Sequence, residues 1–162
     1  MKIAIISDTH IPSRADAFPD WVIDVIETCD HTIHAGDFDS PTSHFDQRVI
    51  AGGSFTGVVG NMDPNIGLPE IATFECESLR FVVTHANGFG RGTQYLSSLA
   101  NLGEEYGADI AIGGHTHRLR DDTVNGIRVL NPGSATGAAP ADKATLLTVD
   151  CHNGEFSVSH HG

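Results

Sequence analysis

The chain has 162 residues, 40% of them hydrophobic, with 18 glycines and a formal net charge of −12 from 21 acidic and 9 basic side chains. That length suits one domain over residues 1–162 with a substantial core, and the composition argues against disorder. So few cations exclude tight nonspecific binding to long nucleic acids, and no apolar stretch approaches the ~20 residues of a bilayer span.

Lys2–Asp8 is apolar and rich in isoleucine, which predicts a strand buried on both faces. It continues straight into charge and so is not read as a signal peptide. Phe18–Glu27 places Trp21, Val22, Val25 and Ile26 at helical spacing, with Pro19 tolerated near the start. His31–Asp37 is a second short strand, closed by a Gly-Asp turn. Ser40 as cap and Pro41 at the first position open a helix that runs to about Val49. Ser54–Asn61 reads as a third strand broken by glycine, and Ile71–Ser78 with Leu79–Asn87 as an antiparallel pair. A helix over Thr93–Tyr106 buries Leu96, Leu99, Ala100 and Leu102 and stops at Gly107.

Ala108–Gly114 is another buried strand, and the residues after Gly113–Leu119 read as a charged run with turns. The segments 127–134, 144–150 and 155–161 supply further strands, with turns at Pro132-Gly133 and Asn153-Gly154. The order β-α-β-α-β followed mostly by β predicts an α/β architecture with a sheet-rich second half. Cys29, Cys76 and Cys151 are isolated and odd in number, as expected of reduced thiols in a cytoplasmic protein. The acidic excess fits a salt-rich, halophilic cell interior, where screening makes dense like charge tolerable.

Five strand ends share a peculiarity. They carry Ser7–His10, Ala35–Asp39, Gly60–Asp63, Thr84–Asn87 and Gly113–His117. Ligands of parallel α/β sheets collect at the carboxyl ends of the strands, so these segments are expected to converge. Singly, each has an ordinary use: Asp8 or Asp37 as a helix cap, Asn61 in a turn, His85 or His115 as a satisfied interior histidine. Together they offer a hard or borderline metal ligand at every strand end. Carboxylate, amide and imidazole without cysteine suit manganese, iron, nickel or zinc better than a soft sulfur site. The set Asp8, His10, Asp37, Asn61, His85, His115 and His117 exceeds one coordination shell and fits two metals roughly 3.5–4 Å apart. Such a pair needs a bridging carboxylate, for which Asp37 in its Gly-Asp turn is the candidate.

These motifs, with Asp8–His10, Gly36–Asp39, Gly60–Asp63, Thr84-His85 and Gly114–His117 in order, resemble those of the calcineurin-like metallophosphoesterases. The opening MKIAIISDTH, the small size and Asn131–Ser134 (NPGS) resemble the compact phosphodiesterase branch typified by bacterial YfcE proteins. The resemblance runs from Met1 to about Val149. It implies an α/β sandwich of two packed mixed β-sheets flanked by helices. It implies two divalent metal ions, with Asp8, His10 and His117 on one, Asn61, His85 and His115 on the other, and Asp37 bridging. Asp37, Asn61 and His85 are then the catalytic residues. The expected metal is Mn2+, with Ni2+, Fe2+, Zn2+ or Mg2+ as alternatives. Pairs two residues apart, Asp8/His10 and His115/His117, would point the same way if their backbone is extended.

The implied activity is two-metal hydrolysis of small phosphodiesters or nucleotides by a water activated between the cations. No membrane partner is expected, and the acidic surface leaves a homodimer through one less charged face open without deciding oligomeric state. The alternatives are a phosphomonoesterase or small nuclease on the same site, and a non-catalytic scaffold like a related subunit of a eukaryotic membrane-sorting complex. A scaffold would show an eroded ligand set and a sizeable apolar patch; no exposed apolar helix is evident in the sequence. Met62 stands where many larger members have histidine after the asparagine, and Asn87 replaces a histidine common in the branch, so substrate choice departs from the pattern. Arg14, Arg91, Arg118 and Arg120 read as solvated cations, with Arg91 and Arg118 as candidate local charge for a substrate phosphate.

Overall fold

The computed structural model describes residues 1–162. In chain order it runs β1 (Lys2–Ile6), α1 (Asp20–Glu27), β2 (His31–His34), α2 (Pro41–Ile50), β3 (Phe55–Gly57), β4 (Ile71–Cys76) and β5 (Leu79–Thr84). Then follow α3 (Thr93–Tyr106), β6 (Ile110–Ile112), β7 (Leu119–Val124), β8 (Ile127–Pro132), β9 (Leu146–His152) and β10 (Glu155–His161). The strands form two five-stranded mixed sheets, ordered β10-β9-β1-β2-β3 and β4-β5-β6-β8-β7.

The apolar run of β1 explains its central place. Ile3 and Ile5 join Ile33, Phe81, Ile110, Ile112 and Leu147 in the core between the sheets, while Ala4 and Ile6 pack on Val22 and Ile26 of α1. Both faces of the strand are thus covered, as its unbroken hydrophobicity requires. On the far side Leu99 and Ala100 of α3 cover Val82, Ala111 and Val129 of the second sheet. The layers are helix, sheet, sheet, helix. Because β1, β2 and β3 are mutually parallel, and β5, β6 and β8 likewise, each sheet gathers its parallel carboxyl ends along one edge. The packed sheets bring those two edges together.

Local signals account for the helices. Ser40 accepts the Ser43 N–H at 3.0 Å and Pro41 opens α2. Gly107, left-handed at φ 58°, ends α3. Four expectations need correction. The charged run after Leu119 is strand β7, paired with β8 at the sheet edge, where half-exposed polar residues suit a strand with one neighbour. The Asn125-Gly126 turn of that hairpin, with positive φ at both residues, was its available signal. Strands end sooner than their apolar patterns suggest, β3 at Gly57 and β6 at Ile112, since the motif segments beyond turn away from the ladder. In α3 it is Tyr95 that is buried, and Leu96 only half-buried. Finally, α2 exposes Phe45 (64%) and Val49 (62%), an apolar pair one turn apart that the sequence reading did not register. No helix is long and apolar enough to cross a membrane.

Candidate metal centre

The five motif segments meet at the joined strand ends, and all seven sequence-predicted ligands lie there. Asp8, His10 and His117 form one group whose ligand atoms lie within 4.8 Å of one another, and Asp8, Asp37 and His85 form a second. Asn61 connects the remaining member, its Oδ1 lying 3.0 Å from both His85 Nε2 and His115 Nδ1. Asp37 sits between the groups, with Oδ2 at 3.5 Å from His10 Nε2 and 3.2 Å from His85 Nε2. His115 and His117, two residues apart, face opposite halves of the cluster.

The backbone that aims these side chains is not extended. Asp8, His10, Asp37, His115 and His117 have φ of 51°, 45°, 63°, 70° and 55°. Left-handed conformation costs non-glycine residues roughly 1–2 kcal/mol each, so the surrounding bonds must hold them there. Both oxygens of Asp8 lie within 3.1 Å of the donating His115 N–H, and Ser7 Oγ donates to the same carboxylate. Ser134 Oγ donates to the Asp8 carbonyl at 2.7 Å, and buried Asn131 donates to the Gly114 carbonyl at 2.8 Å. The NPGS segment thus braces two ligand loops. Gly36 and Gly60 allow the close approach: a Cβ at Gly36 would lie 2.8 Å from His85 Nδ1, and one at Gly60 would overlap the Asp37 carboxylate.

The histidine tautomers follow from their outer partners. Nδ1 of His10 faces Asp39 Oδ1 at 2.8 Å, that of His85 the Ala35 carbonyl at 2.7 Å, and that of His117 the Ala138 carbonyl at 2.8 Å. Those oxygens accept, so each Nδ1 carries a proton and each ring turns its Nε2 inward. Yet His10 Nε2 and His117 Nε2 stand 3.2 Å apart, and His85 Nε2 faces the acceptor oxygens of Asn61 and Asp37. Lone pairs converging in a buried site require shared protons or cations among them. A donor set of carboxylate, amide oxygen and inward imidazole nitrogen, each ring fixed by an outer acceptor, fits divalent metal ions.

Electrostatics agree. Burial pushes the Asp8 carboxyl up to about 7, against the opposing pull of His85. Burial also raises Asp37, but the hydrogen bond and charge of His85 outweigh it and leave its pKa below the ordinary value. His85 is raised because its Asp37 and Asp8 partners overcome its burial. Burial of part of each ring, with repulsion from neighbouring cations, keeps His115 and His117 low and ready to coordinate.

Two residues inside the motifs carry roles that sequence reasoning missed. Asp39 orients His10. Asp63 accepts four backbone N–H groups, from Gly60 (2.7 Å), Asp37 (3.1 Å), Phe38 (2.7 Å) and Asp39 (2.8 Å), and so sets the turn that presents Asp37. A carboxylate at both places was visible in the sequence; nothing in the spacing said which loop it would bind. Met62 is 47% exposed beside Asn61, and its N–H donates to Asp37 Oδ1 at 2.9 Å. Asn87 lies exposed beyond left-handed Ala86.

Comparison with known proteins bears on this site. Residues 1–154 match the calcineurin-like phosphoesterase superfamily domain. A probable metallophosphoesterase of Methanothermobacter thermautotrophicus is 37% identical over 149 residues, covering 91% of this chain and 84% of the relative. Another from Methanocaldococcus jannaschii is 36% identical over 137 residues, covering 84% and 69%. Among solved structures, Vacuolar Protein Sorting 29 from Cryptosporidium parvum superposes with TM-score 0.82 at 22% identity, covering 99% of this chain and 96% of that one. A structure described as a novel archaeal phosphodiesterase gives TM-score 0.73 at 23% identity, covering 99% and 100%.

Proposed function

The chain belongs to the calcineurin-like phosphoesterase superfamily, and from that membership we propose that it is a two-metal phosphodiesterase acting on small phosphodiesters or nucleotides. The observation that carries this reading is the inward convergence of imidazole lone pairs on two buried carboxylates, which calls for cations. Asp8, His10 and His117 would hold one divalent ion, Asn61, His85 and His115 the other, with Asp37 shared. Oxygen and nitrogen donors place Mn2+ first, before Ni2+, Fe2+, Zn2+ or Mg2+. When bound, two such ions supply Lewis acidity that lowers the pKa of a water and offsets charge on the phosphate oxygens.

The protein's own residues provide positioning. Asp39 and the Ala35 and Ala138 carbonyls hold His10, His85 and His117 with Nε2 inward; the Met62 N–H and the Asp63 carboxylate hold Asp37 in its turn. No cysteine stands in the cluster to serve as nucleophile: Cys76 and Cys151 lie in the core between the sheets, and Cys29 packs beside α1 with its thiol on the Val25 carbonyl. Met62 cannot transfer a proton, so the leaving oxygen departs without an imidazole at that position. That favours activated diesters over alkyl esters. The whole chain acts as one domain, in a salt-rich cytoplasm.

The exposed Phe45–Val49 pair on α2 favours a protein contact, and hence the scaffold reading, but it leaves the complete ligand set without a use. The test is hydrolysis of bis(p-nitrophenyl) phosphate and p-nitrophenyl phosphate, with chelator and after Mn2+ is restored. Diester turnover that chelator abolishes and Mn2+ restores supports the proposal. Faster monoester turnover replaces it with a phosphomonoesterase, and no turnover by metal-loaded protein replaces it with the scaffold.

A further inference from the structure

A cleft of about 420 Å³ opens beside the metal centre, with Arg91, Arg118 and Arg120 on its walls together with His115, Thr116 and Tyr95. Its lining contains no aspartate or glutamate, although acidic residues outnumber basic ones 21 to 9 in the chain. Of the other arginines, Arg80 pairs with Glu75, Arg128 with Asp121 and Arg14 donates to the Ala139 carbonyl, while Arg48 stands without a partner in the last turn of α2. The guanidinium groups of the three cleft arginines have no such partner. Gathering three like charges without a counterion is unfavourable unless an anion joins them. Arg91 precedes α3, Arg118 follows the Gly114–His117 turn and Arg120 lies at the start of β7, so two distant parts of the chain build the cluster.

We propose that this cleft binds a second phosphate group of the substrate, beside the phosphodiester held at the metal centre. The inference rests on the proposed phosphodiesterase reading for the scissile group alone. His115 links the two places. Its Nδ1 faces Asn61 and the cluster, while the same residue lines the cleft, so an anion bound there is separated from the reacting phosphorus by the His115 ring. Planar guanidinium groups match phosphate oxygens in bidentate fashion, and three of them suit a dianion. The cleft offers little to a nucleobase. Tyr95 is only 2% exposed, and its hydroxyl is already spent, donating to the Gly114 carbonyl and accepting from Asn131. Recognition is therefore of charge, and it tolerates different bases.

The experiment compares thymidine 3′,5′-bisphosphate with thymidine 5′-monophosphate by calorimetry on the Mn2+-loaded protein, with released phosphate monitored. The bisphosphate should bind at least about tenfold tighter, the yield of one good charge-assisted contact. In the Arg91→Gln/Arg118→Gln double variant that preference should fall to about twofold or less. Both arginines are exposed, so the fold tolerates the change. Arg48→Gln, which removes the same charge from α2 outside the cleft, should keep the preference. A parallel kcat/KM comparison uses thymidine 5′-(p-nitrophenyl phosphate) with and without a 3′-phosphate. Equal affinities in the wild type, or a preference that survives the double variant or vanishes equally in Arg48→Gln, overturn the cleft proposal even if plain diesters are hydrolysed. A preference lost only in the double variant, with neither diester hydrolysed, upholds the cleft as a phosphate site and overturns the phosphodiesterase reading instead.

Discussion

Asp63→Asn perturbs the metal centre without touching a ligand. In the native turn Oδ1 of Asp63 accepts from Phe38 and Asp39, and Oδ2 accepts from Gly60 and Asp37, at 2.7–3.1 Å. Asparagine keeps one acceptor oxygen and turns an NH2 group towards the other two donors, so two charge-assisted bonds are lost and two N–H groups are opposed. At about 1.5–3 kcal/mol for a hydrogen bond to a charged group, and with Asp63 partly exposed, the net loss is about 3 kcal/mol. For a chain of this size that is a fall in melting temperature of roughly 6–12 °C. Because the same turn presents Asp37 and the Asp39 that orients His10, metal affinity should drop about 10–100-fold, the usual cost of losing an outer partner. Urea melts of chelated protein and calorimetric titration with Mn2+ read the two effects separately. An Asp63→Asn protein with the native urea midpoint and native Mn2+ affinity would refute the reasoning.

Met62→His should raise kcat/KM more for alkyl than for aryl diesters, because an alkoxide leaving group needs protonation and an aryloxide needs little; equal gains on both series would count against the role given to this position. In chelated protein, Asp8 and His85 both have raised pKa values, and both contributions to stability are lost as pH rises through the folded values. The lowered pKa values of His31, His34, His44, His115, His117 and His161 act in the opposite direction, so the comparison is with Asp8→Asn: relative to that variant the chelated protein should lose stability as pH rises from about 4 to about 7. A chelated wild type that gained stability relative to Asp8→Asn over that interval would contradict the burial argument. With formal charge −12, repulsion should weaken the fold in dilute buffer, and the melting point at saturating metal should rise as the Debye length shrinks from about 10 Å at 0.1 M salt to about 3 Å at 1 M. A melt flat in potassium chloride, or matched by a nonionic osmolyte, removes the high-salt reading alone.

Much of the architecture was legible because burial leaves a plain trace. The unbroken KIAII of β1 predicts a strand covered on both faces, and Ile3/Ile5 and Ala4/Ile6 do divide between two cores. Strand β7 was missed because an edge strand with half-exposed Arg120, Asp121 and Asp122 shows no hydrophobic period, and its neighbour supplies the order. The candidate ligands stood out by type and place at successive strand ends. Their aim did not, since left-handed backbone at Asp8, His10, Asp37, His115 and His117 comes from long-range bonds, such as those from Ser134 and Asn131, that no local pattern encodes. The roles of Asp39 and Asp63 were hidden for the same reason. The arginine cleft joins residue 91 to residues 118 and 120 only through the fold, and along the chain those cations read as solvent-facing.

The claim that two divalent ions share Asp37 is tested most directly by metal stoichiometry in the wild type and in Asp37→Ala. Its carboxylate lies within 3.5 Å of imidazole nitrogens from both halves of the cluster, and without it two dications a few ångströms apart have no anion between them. Elemental analysis after equilibration with Mn2+ and gel filtration should give two ions per wild-type chain, and at most one in the variant, with diester turnover lost. Near-normal two-metal occupancy in Asp37→Ala would contradict the account.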